Sequence, residues 1–408
     1  MDDSNAGASF PEGADQPVQA APQPPLQITA RKRSAILIPI IIFVIVIIGA
    51  AGFFYYSGLT KTPLTTITSS ESTTTISTST TASTTTTSAQ SNIIGYFYCV
   101  GPFTTSHING NAFSYAPIHT DGSLGPWVSN FSYLSPLLME TSCTASGGNM
   151  YCIGGFLHSN TYTNAVKYST LSSELTPWSS TIPYPLIGIT QCTNYNDYIY
   201  CIGSYNAFRI LSGNYSGYTS VYYAHAMTNG TEAWKYANAY PRNYTSPICT
   251  AVSGSLYCIG GFNYKSLVTN DTYYSHINSN GSIGNWIATT PYPIKTSSIS
   301  CTGYGSNIYC IGGNETNSSY YVPILLGGGL GTWRVTTPYP FRVSYLSCSA
   351  FNGYIYCNGG INASGGVLNT TYYSAINPDG SLGKWNETLP FPTKELGLPV
   401  SHCAATSA

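Results

Sequence analysis

The cysteines are the residues whose type and spacing point first to chemistry. Ten of the twelve form five pairs whose members are separated by eight residues: Cys143 and Cys152, Cys192 and Cys201, Cys249 and Cys258, Cys301 and Cys310, and Cys348 and Cys357. Turn-forming dipeptides such as Asn352-Gly353 lie at the centre of these intervals and predict antiparallel hairpins. Counting outward from the turn, each pair falls at a non-hydrogen-bonded position, where a disulfide can span the two strands.

Zinc binding is the alternative chemistry for so many cysteines. Zinc ligands usually come as Cys-x-x-Cys knuckles, and these cysteines do not have that spacing. The chain has twelve cysteines, an even number, which is unusual for a protein of the reducing cytosol and typical of an oxidising compartment outside it. The sequence therefore favours disulfides, and we expect no metal site and no cofactor.

The composition limits the partners and the chemistry. Only 7% of the 408 residues are charged, the formal net charge is -1, and 36 residues are tyrosine. A chain so poor in Lys and Arg has no basic stripe for phosphate contacts, so we expect no nucleic-acid partner. The sequence has no Ser-His-Asp spacing, phosphate loop or metal-binding helix, and we therefore assign no catalytic residue.

The N-terminal part predicts a single membrane span. Residues 1–33 are rich in Pro, Gln and Ala and are typical of a disordered cytoplasmic tail. Residues 34–56 include an uncharged, apolar run from Ala35 to Tyr56, which as a helix would be about 33 Å long and could cross a bilayer. Arg31, Lys32 and Arg33 precede it, so the N-terminus is predicted to be cytoplasmic and everything after the span extracellular. A cleaved signal peptide is the alternative.

Residues 57–91 predict a stalk. Ser and Thr supply 23 of the 32 residues from 60 to 91, which is typical of an extended, O-glycosylated segment. Eleven Asn-x-Ser/Thr sequons follow and are candidate glycosylation sites, although a chain this rich in Asn, Ser and Thr also produces sequons by chance. Their asparagines are Asn130, Asn214, Asn229, Asn243, Asn270, Asn280, Asn314, Asn317, Asn362, Asn369 and Asn386.

Residues 92–408 are built from a repeat of about fifty residues. After the second cysteine most copies have Gly-Gly, then an aromatic strand, a Gly-rich turn, a Trp and a Pro-aromatic-Pro segment. Six copies of such a unit predict a β-propeller with four short strands per blade. All six tryptophans fall at one repeat position, where we expect them to pack between blades: Trp127, Trp178, Trp234, Trp286, Trp333 and Trp385.

This repeat resembles the kelch family of β-propellers. The residues that carry the resemblance are the hydrophobic-Tyr-x-x-Gly-Gly stretch, the Tyr that opens the third strand and the Trp that opens the fourth. The chain departs from the pattern in its cysteines, in a longer Tyr-to-Trp interval, and at Gly101-Pro102 and Gly203-Ser204. The resemblance implies an all-β, six-bladed propeller. Cys99 and Cys403 lie in complementary half-repeats, so the C-terminal strand is expected to close the first blade, as in many kelch propellers, with a sixth disulfide.

The topology favours a membrane-anchored cell-surface recognition or adhesion protein that binds a glycan or protein ligand. The loops after Gly-Gly vary most, and the longest supplies the ligand-face candidates Tyr205, Phe208, Arg209, Tyr215 and Tyr218. A sugar-acting extracytoplasmic enzyme, mutarotase-like or oxidase-like, and a structural envelope component are the alternatives. The scarcity of charge predicts an acidic exterior, as for an acid-loving archaeal microbe, unless surface glycans made the charges dispensable.

Overall fold

The computed structural model describes most of the chain from residue 93 onward. The described ranges are 93–104, 109–130, 138–139, 141–157, 161–172, 176–205, 219–241, 244–245, 247–263, 267–392 and 402–407. All of them belong to one compact unit, Thr86–Ala408. The predicted tail, membrane span and stalk lie outside these ranges, and within the ranges no helix is long and apolar enough to cross a membrane.

The described residues form 32 short β-strands, which we number in chain order. They are β1 (Ile93–Thr104), β2 (Asn109–His119), β3 (Val128–Asn130), β4 (Leu138–Met139), β5 (Ser142–Ser146), β6 (Asn149–Ile153), β7 (Phe156–Leu157), β8 (Thr161–Tyr162), β9 (Val166–Thr170), β10 (Ser179–Ser180), β11 (Ile189–Tyr195), β12 (Tyr198–Tyr205), β13 (Val221–Met227), β14 (Gly230–Thr231), β15 (Lys235–Tyr236), β16 (Tyr244–Thr245), β17 (Ile248–Val252), β18 (Ser255–Ile259), β19 (Phe262–Asn263), β20 (Thr272–His276), β21 (Ile287–Ala288), β22 (Ser300–Tyr304), β23 (Asn307–Ile311), β24 (Ser319–Pro323), β25 (Arg334–Val335), β26 (Val343–Ser344), β27 (Ser347–Phe351), β28 (Tyr354–Asn358), β29 (Ile361–Asn362), β30 (Thr371–Ala375), β31 (Asn386–Thr388) and β32 (His402–Ser407).

These strands form the predicted six-bladed β-propeller. From the inside outward, blade 1 is β32-β1-β2-β3, blade 2 is β5-β6-β9-β10, blade 3 is β11-β12-β13-β15, blade 4 is β17-β18-β20-β21, blade 5 is β22-β23-β24-β25 and blade 6 is β27-β28-β30-β31. Within each blade the four strands are antiparallel neighbours. The remaining strands, apart from β14, which pairs with β13, make three small sheets at the blade ends: β4-β7-β8, β16-β19 and β26-β29.

The ring closes as the two half-repeats predict. Strand β32 pairs with β1, and Cys403 stands opposite Cys99 in that register. Each innermost strand contacts the innermost strands of both neighbouring blades, including β32 against β5 and β27. The last strand of the chain therefore completes the blade that the first strand begins.

All six predicted disulfides are present. The structure joins Cys99 to Cys403, Cys143 to Cys152, Cys192 to Cys201, Cys249 to Cys258, Cys301 to Cys310 and Cys348 to Cys357. Asn352 and Gly353, at the centre of one hairpin, both have positive φ, as a primed turn requires. The Cα atoms of each cysteine pair lie 4.1 or 4.2 Å apart, as expected for a non-hydrogen-bonded pair.

The core lies between blades, where six clusters of buried side chains each draw on two neighbours. As predicted, the tryptophans pack there. Trp286 meets Tyr240 of the preceding blade edge to face, with ring centroids 5.0 Å apart. Tyrosines of the second strands are also buried, and Tyr200 donates a hydrogen bond of 2.9 Å to the Gly281 carbonyl oxygen of the next blade. Aromatic packing and this bond join adjacent blades.

The propeller has two different ends. We call the end with the hairpin turns, such as Asn352-Gly353, the turn end. The opposite end, where second strands finish at pairs such as Gly312-Gly313, we call the Gly-Gly end. Ile93 and Ser407 lie at the turn end, because β1 runs from there toward the Gly-Gly end and β32 runs back. The chain therefore enters and leaves the described propeller at the turn end.

Candidate functional site

A central channel of about 1140 Å³ runs along the axis of the ring. Its wall is formed by the innermost strands of all six blades, and the inner cysteine of every disulfide lines it. The lining extends from turn residues such as Asp197 to residues of the Gly-Gly end such as Tyr345 and His402. A concave site of this size, with polar groups from several blades, is the natural place for a ligand.

Serine hydroxyls close the wall between three pairs of inner strands. The backbone N–H groups of Cys192, Cys348 and Cys403 donate to Ser142, Ser300 and Ser347 of the preceding blades at 2.8 to 2.9 Å. Each serine stands immediately before the first cysteine of its hairpin. These bonds satisfy backbone donors on strand edges that would otherwise face the channel unpaired.

The other three blades break this serine pattern. The position before the inner cysteine is Gln191 in blade 3, Ile248 in blade 4 and His402 in blade 1, and all three residues line the channel. Two of them place an amide and an imidazole where the regular repeat has a wall-sealing hydroxyl. The channel therefore carries blade-specific groups near its Gly-Gly end.

Tyr345 stands at the mouth of the channel at the Gly-Gly end. It precedes β27 and keeps 47% of its surface exposed. Its φ is 60°, and that of Ser298, in the equivalent connection of the preceding blade, is 57°. A left-handed conformation is rare for a bulky residue. The Tyr345 N–H donates to the Ser298 carbonyl oxygen at 2.8 Å, so the two connections hold each other.

His402 contributes a neutral imidazole to the channel. Part of its surface contacts the channel, yet the surrounding protein atoms disfavour the charged form and lower the pKa of His402 to about 4. At neutral pH the ring therefore has one nitrogen that donates and one that accepts hydrogen bonds. The lining contains no Lys, Arg or Glu among the described residues, and Asp197 lies at the turn end. The described residues that line the mouth are thus uncharged but rich in hydrogen-bonding groups.

The ligand-face residues predicted from the longest loop fall mostly outside the described residues. Tyr205 ends β12 and pairs with Ile189, an edge residue of the channel lining. The others, Phe208, Arg209, Tyr215 and Tyr218, lie in the undescribed range 206–218. Their role in binding stays a prediction.

The sequons divide in the same way. Asn214 and Asn243 lie outside the described residues, and the side chain of Asn130 is not described. The asparagines that are exposed are Asn229, Asn280, Asn314, Asn317 and Asn386. Asn270, Asn362 and Asn369 are half-buried, and the side-chain amides of Asn270 and Asn369 donate to backbone carbonyl oxygens. Glycosylation stays a prediction. The exposed asparagines are the better candidate acceptors, apart from Asn314, whose side-chain amide also donates to a backbone carbonyl oxygen, that of Lys295.

Sequence reasoning did not single out the residues at the channel mouth. Gln191 and His402 had a signal, because they replace a serine that recurs before the inner cysteine. Tyr345 and Ser298 had none, because their left-handed backbone and their hydrogen bond depend on two connections about fifty residues apart. Within the described residues, no group of three His, Cys, Asp or Glu side chains could hold a metal ion.

Comparison with known proteins supports the fold and no more. No family model matches this chain. No curated protein matches it either. Among solved structures 307 chains match, and likeness of fold by itself assigns no function. One of them, titled "Structure of YjhT", covers 71% of this chain and 97% of that chain with a TM-score of 0.54 and 12% sequence identity.

Proposed function

We propose that the propeller is the recognition domain of a membrane-anchored cell-surface protein and that it binds a neutral glycan at the Gly-Gly mouth of its channel. The observation that carries this proposal is Tyr345, an exposed aromatic ring held in a left-handed conformation at that mouth. Ser298 shares the conformation and the hydrogen bond beside it.

The chemistry of the mouth suits a sugar. A tyrosine ring offers an apolar face for the C–H groups of a pyranose and a hydroxyl for its polar edge. Gln191 and neutral His402 add donors and acceptors without charge. A non-glycine residue at positive φ costs about 1–3 kcal/mol, and such residues concentrate at binding sites, where the geometry matters more than the strain.

The proposed anchoring rests on the apolar run from Ala35 to Tyr56, whose length fits a bilayer. The chain enters the propeller at the turn end. The Gly-Gly end is therefore the end of the propeller farthest from its connection to the proposed anchor. A ligand on another cell or surface can reach the Gly-Gly mouth without passing the point where the chain joins the proposed anchor.

A glycan array probed with the full-length protein in detergent tests the proposal. We expect binding to neutral glycans and a loss of at least tenfold in affinity for Tyr345→Ala. Tyr236→Ala is the matched control, because Tyr236 is also an exposed tyrosine but lies in β15 at the outer rim. Equal binding by Tyr345→Ala and the wild type would place the ligand elsewhere. Binding only to a protein in a pull-down would replace the glycan with a protein ligand.

His402 favours a second candidate function, that of a sugar-acting enzyme. Its imidazole is neutral at physiological pH and contacts the channel, so it could exchange a proton with a bound sugar hydroxyl. Turnover or accelerated mutarotation by the wild type, lost in His402→Gln while glycan binding persists, would establish this function. Binding without any turnover would leave recognition as the function.

A further inference from the structure

The outer turn of blade 5 differs from its counterparts in the other blades. In blades 4 and 6 the turn reads Asn278-Ser279-Asn280-Gly-Ser and Asn377-Pro378-Asp379-Gly-Ser, and in blade 5 it reads Leu325-Leu326-Gly-Gly-Gly. Leu325 is 52% exposed and Leu326 is fully exposed. We call this pair the apolar tip. It projects at the turn end, the end where the chain enters the propeller.

The fold does not need leucine at these positions. The polar turns are braced by a side chain, as when Asp379 accepts hydrogen bonds from the N–H and hydroxyl of Ser381. Within the blade 5 turn the bonds join backbone groups, since Leu325 N–H donates to the Gly329 carbonyl oxygen at 2.8 Å and Gly328 N–H donates to that of Leu325 at 2.9 Å. The hydroxyls of Tyr257 and Tyr274 in blade 4 also donate to the Gly328 and Gly327 carbonyl oxygens. Blades 4 and 6 make the same backbone bonds without leucine, with Asn278 and Asn377 at the first position and Ser279 and Pro378 at the second. The turn therefore folds without leucine, and the adjacent pair Leu325 and Leu326 is exposed.

We infer that the apolar tip inserts into the surface of the bilayer to which the chain is anchored. A specific protein partner would need a complementary surface of about 1000 Å² or more in total, which a two-residue convex tip does not offer. A lipid interface requires no matching pocket and accepts apolar side chains at the level of the headgroups.

The tether makes this weak contact effective. This step rests on the proposed membrane anchoring by the apolar segment within 34–56. Residues 57–92 join that segment to Ile93 at the turn end, so the tip would remain at a high local concentration near the membrane. A weak second contact then adds to the first, as in proteins that use two membrane-binding signals. The consequence is an oriented propeller, with its turn end toward the membrane and its Gly-Gly mouth free.

Fluorescence quenching in vesicles tests the inference. The full-length protein is reconstituted in phosphatidylcholine vesicles that contain phosphatidylcholine brominated near the glycerol end of its acyl chains, with a tryptophan introduced by Leu326→Trp. Leu267→Trp is the control, because Leu267 is 59% exposed at the Gly-Gly end. After subtraction of the wild-type emission, we expect at least twofold stronger quenching at position 326 than at position 267. Unchanged thermal midpoints would show that both variants are folded.

The outcomes separate the two proposals. Flotation of the protein with vesicles tests the membrane anchoring. Stronger quenching at position 326 than at position 267 tests the insertion of the apolar tip. Failure to float would overturn the anchoring and this inference with it. Flotation with equal quenching at both positions would overturn the inference alone. Self-association lost in Leu325→Ser/Leu326→Ser, without preferential quenching, would assign the apolar tip to contact between copies instead.

Discussion

At the scale of single residues, the glycines of the outer turns decide how closely the blades approach. Gly281 has a φ of 79°, and a Cβ atom there would collide with the ring of Tyr198 in the preceding blade. Its carbonyl oxygen also accepts the bond from Tyr200. Gly305 in a hairpin turn has a φ of 57° but has no neighbouring atom within 4 Å of an added Cβ. A residue with a Cβ atom would be strained at either position, but only at position 281 would it also collide with a neighbouring side chain.

Gly281→Ala is therefore expected to destabilise the propeller by about 2–4 kcal/mol, through strain, collision and displacement of the blade contact. Gly305→Ala should cost only about 1 kcal/mol, from the left-handed backbone alone. Thermal unfolding of both variants measures the difference. Equal losses in the two variants would mean that the turn of blade 4 does not lock the blades.

A second residue prediction concerns His402 and acid. Its folded pKa of about 4 lies below the value of 6.5 for an unperturbed histidine, so the unfolded state binds more protons between those values. Stability is then complete above about pH 6.5 and falls as the pH decreases toward 4. We expect the thermal midpoint of His402→Gln to fall less than that of the wild type over this interval. Parallel curves for the two proteins would show that His402 is not the titrating group.

At the scale of elements, the six disulfides contribute differently to stability. Each hairpin disulfide joins residues nine apart in sequence, whereas Cys99 and Cys403 are separated by 304 residues. In the chain-entropy model the short loop is worth about 3 kcal/mol and the long one about 5–6 kcal/mol. The closing bond also attaches β32, the innermost strand of blade 1, whose loss would open the ring.

Replacement of Cys99 and Cys403 by Ser should therefore lower the thermal midpoint more than replacement of Cys301 and Cys310. The expected difference corresponds to about 2–3 kcal/mol. Non-reducing peptide mapping of the wild type supplies the necessary check, since it should recover the six pairs with no free thiol. A larger loss from the hairpin pair would show that the closing strand is held mainly by its backbone bonds.

At the scale of the whole molecule, the buried tyrosines between blades set the behaviour in alkali. Burial raises the pKa of Tyr257 and of Tyr309 to about 12, and it also raises the pKa of Tyr98, Tyr200 and Tyr356. In the unfolded chain these phenols titrate near pH 10. Their contribution is therefore complete below pH 10 and is lost as the pH rises toward 12 and beyond.

We expect a cooperative loss of structure in that alkaline range, with the tyrosinate absorbance of the buried residues appearing at the same pH as unfolding. Far-ultraviolet circular dichroism and tyrosinate absorbance, followed together, test this. Gradual ionisation of all 36 tyrosines in the folded protein would contradict it.

In acid, by contrast, few side chains of this protein change their charge. The chain has 11 Lys or Arg and 11 Asp or Glu after residue 56, so few groups change charge as the pH falls. Between described residues, Glu232 pairs with His225 and Lys235 on one blade. The sequence-based prediction of an acidic exterior stands on this scarcity, while His402 acts against it. Thermal midpoints of the deglycosylated protein between pH 2 and 7 compare the effect of scarce charge with the effect of His402. A midpoint that falls steeply with decreasing pH even in the His402→Gln variant would rule out acid adaptation.

The sequence by itself determined the architecture, because each blade is a local unit. Eight-residue intervals around Asn352-Gly353 and its equivalents set the hairpin registers, and a period of two places Cys301 opposite Cys310. The closure of the ring by Cys99 and Cys403 was also predictable from the sequence, because the two half-repeats are recognisable before their positions in space are known.

Only the tertiary structure decided where function could lie. The channel exists because six inner strands surround one axis, and no single repeat encodes its contents. Gln191 and His402 come from blades 3 and 1, while the left-handed Tyr345 is held by Ser298 from another connection. Backbone conformation in such connections follows from the contacts between neighbouring blades rather than from local preference. A repeat specifies its own strands, and the arrangement of six repeats around an axis specifies the site.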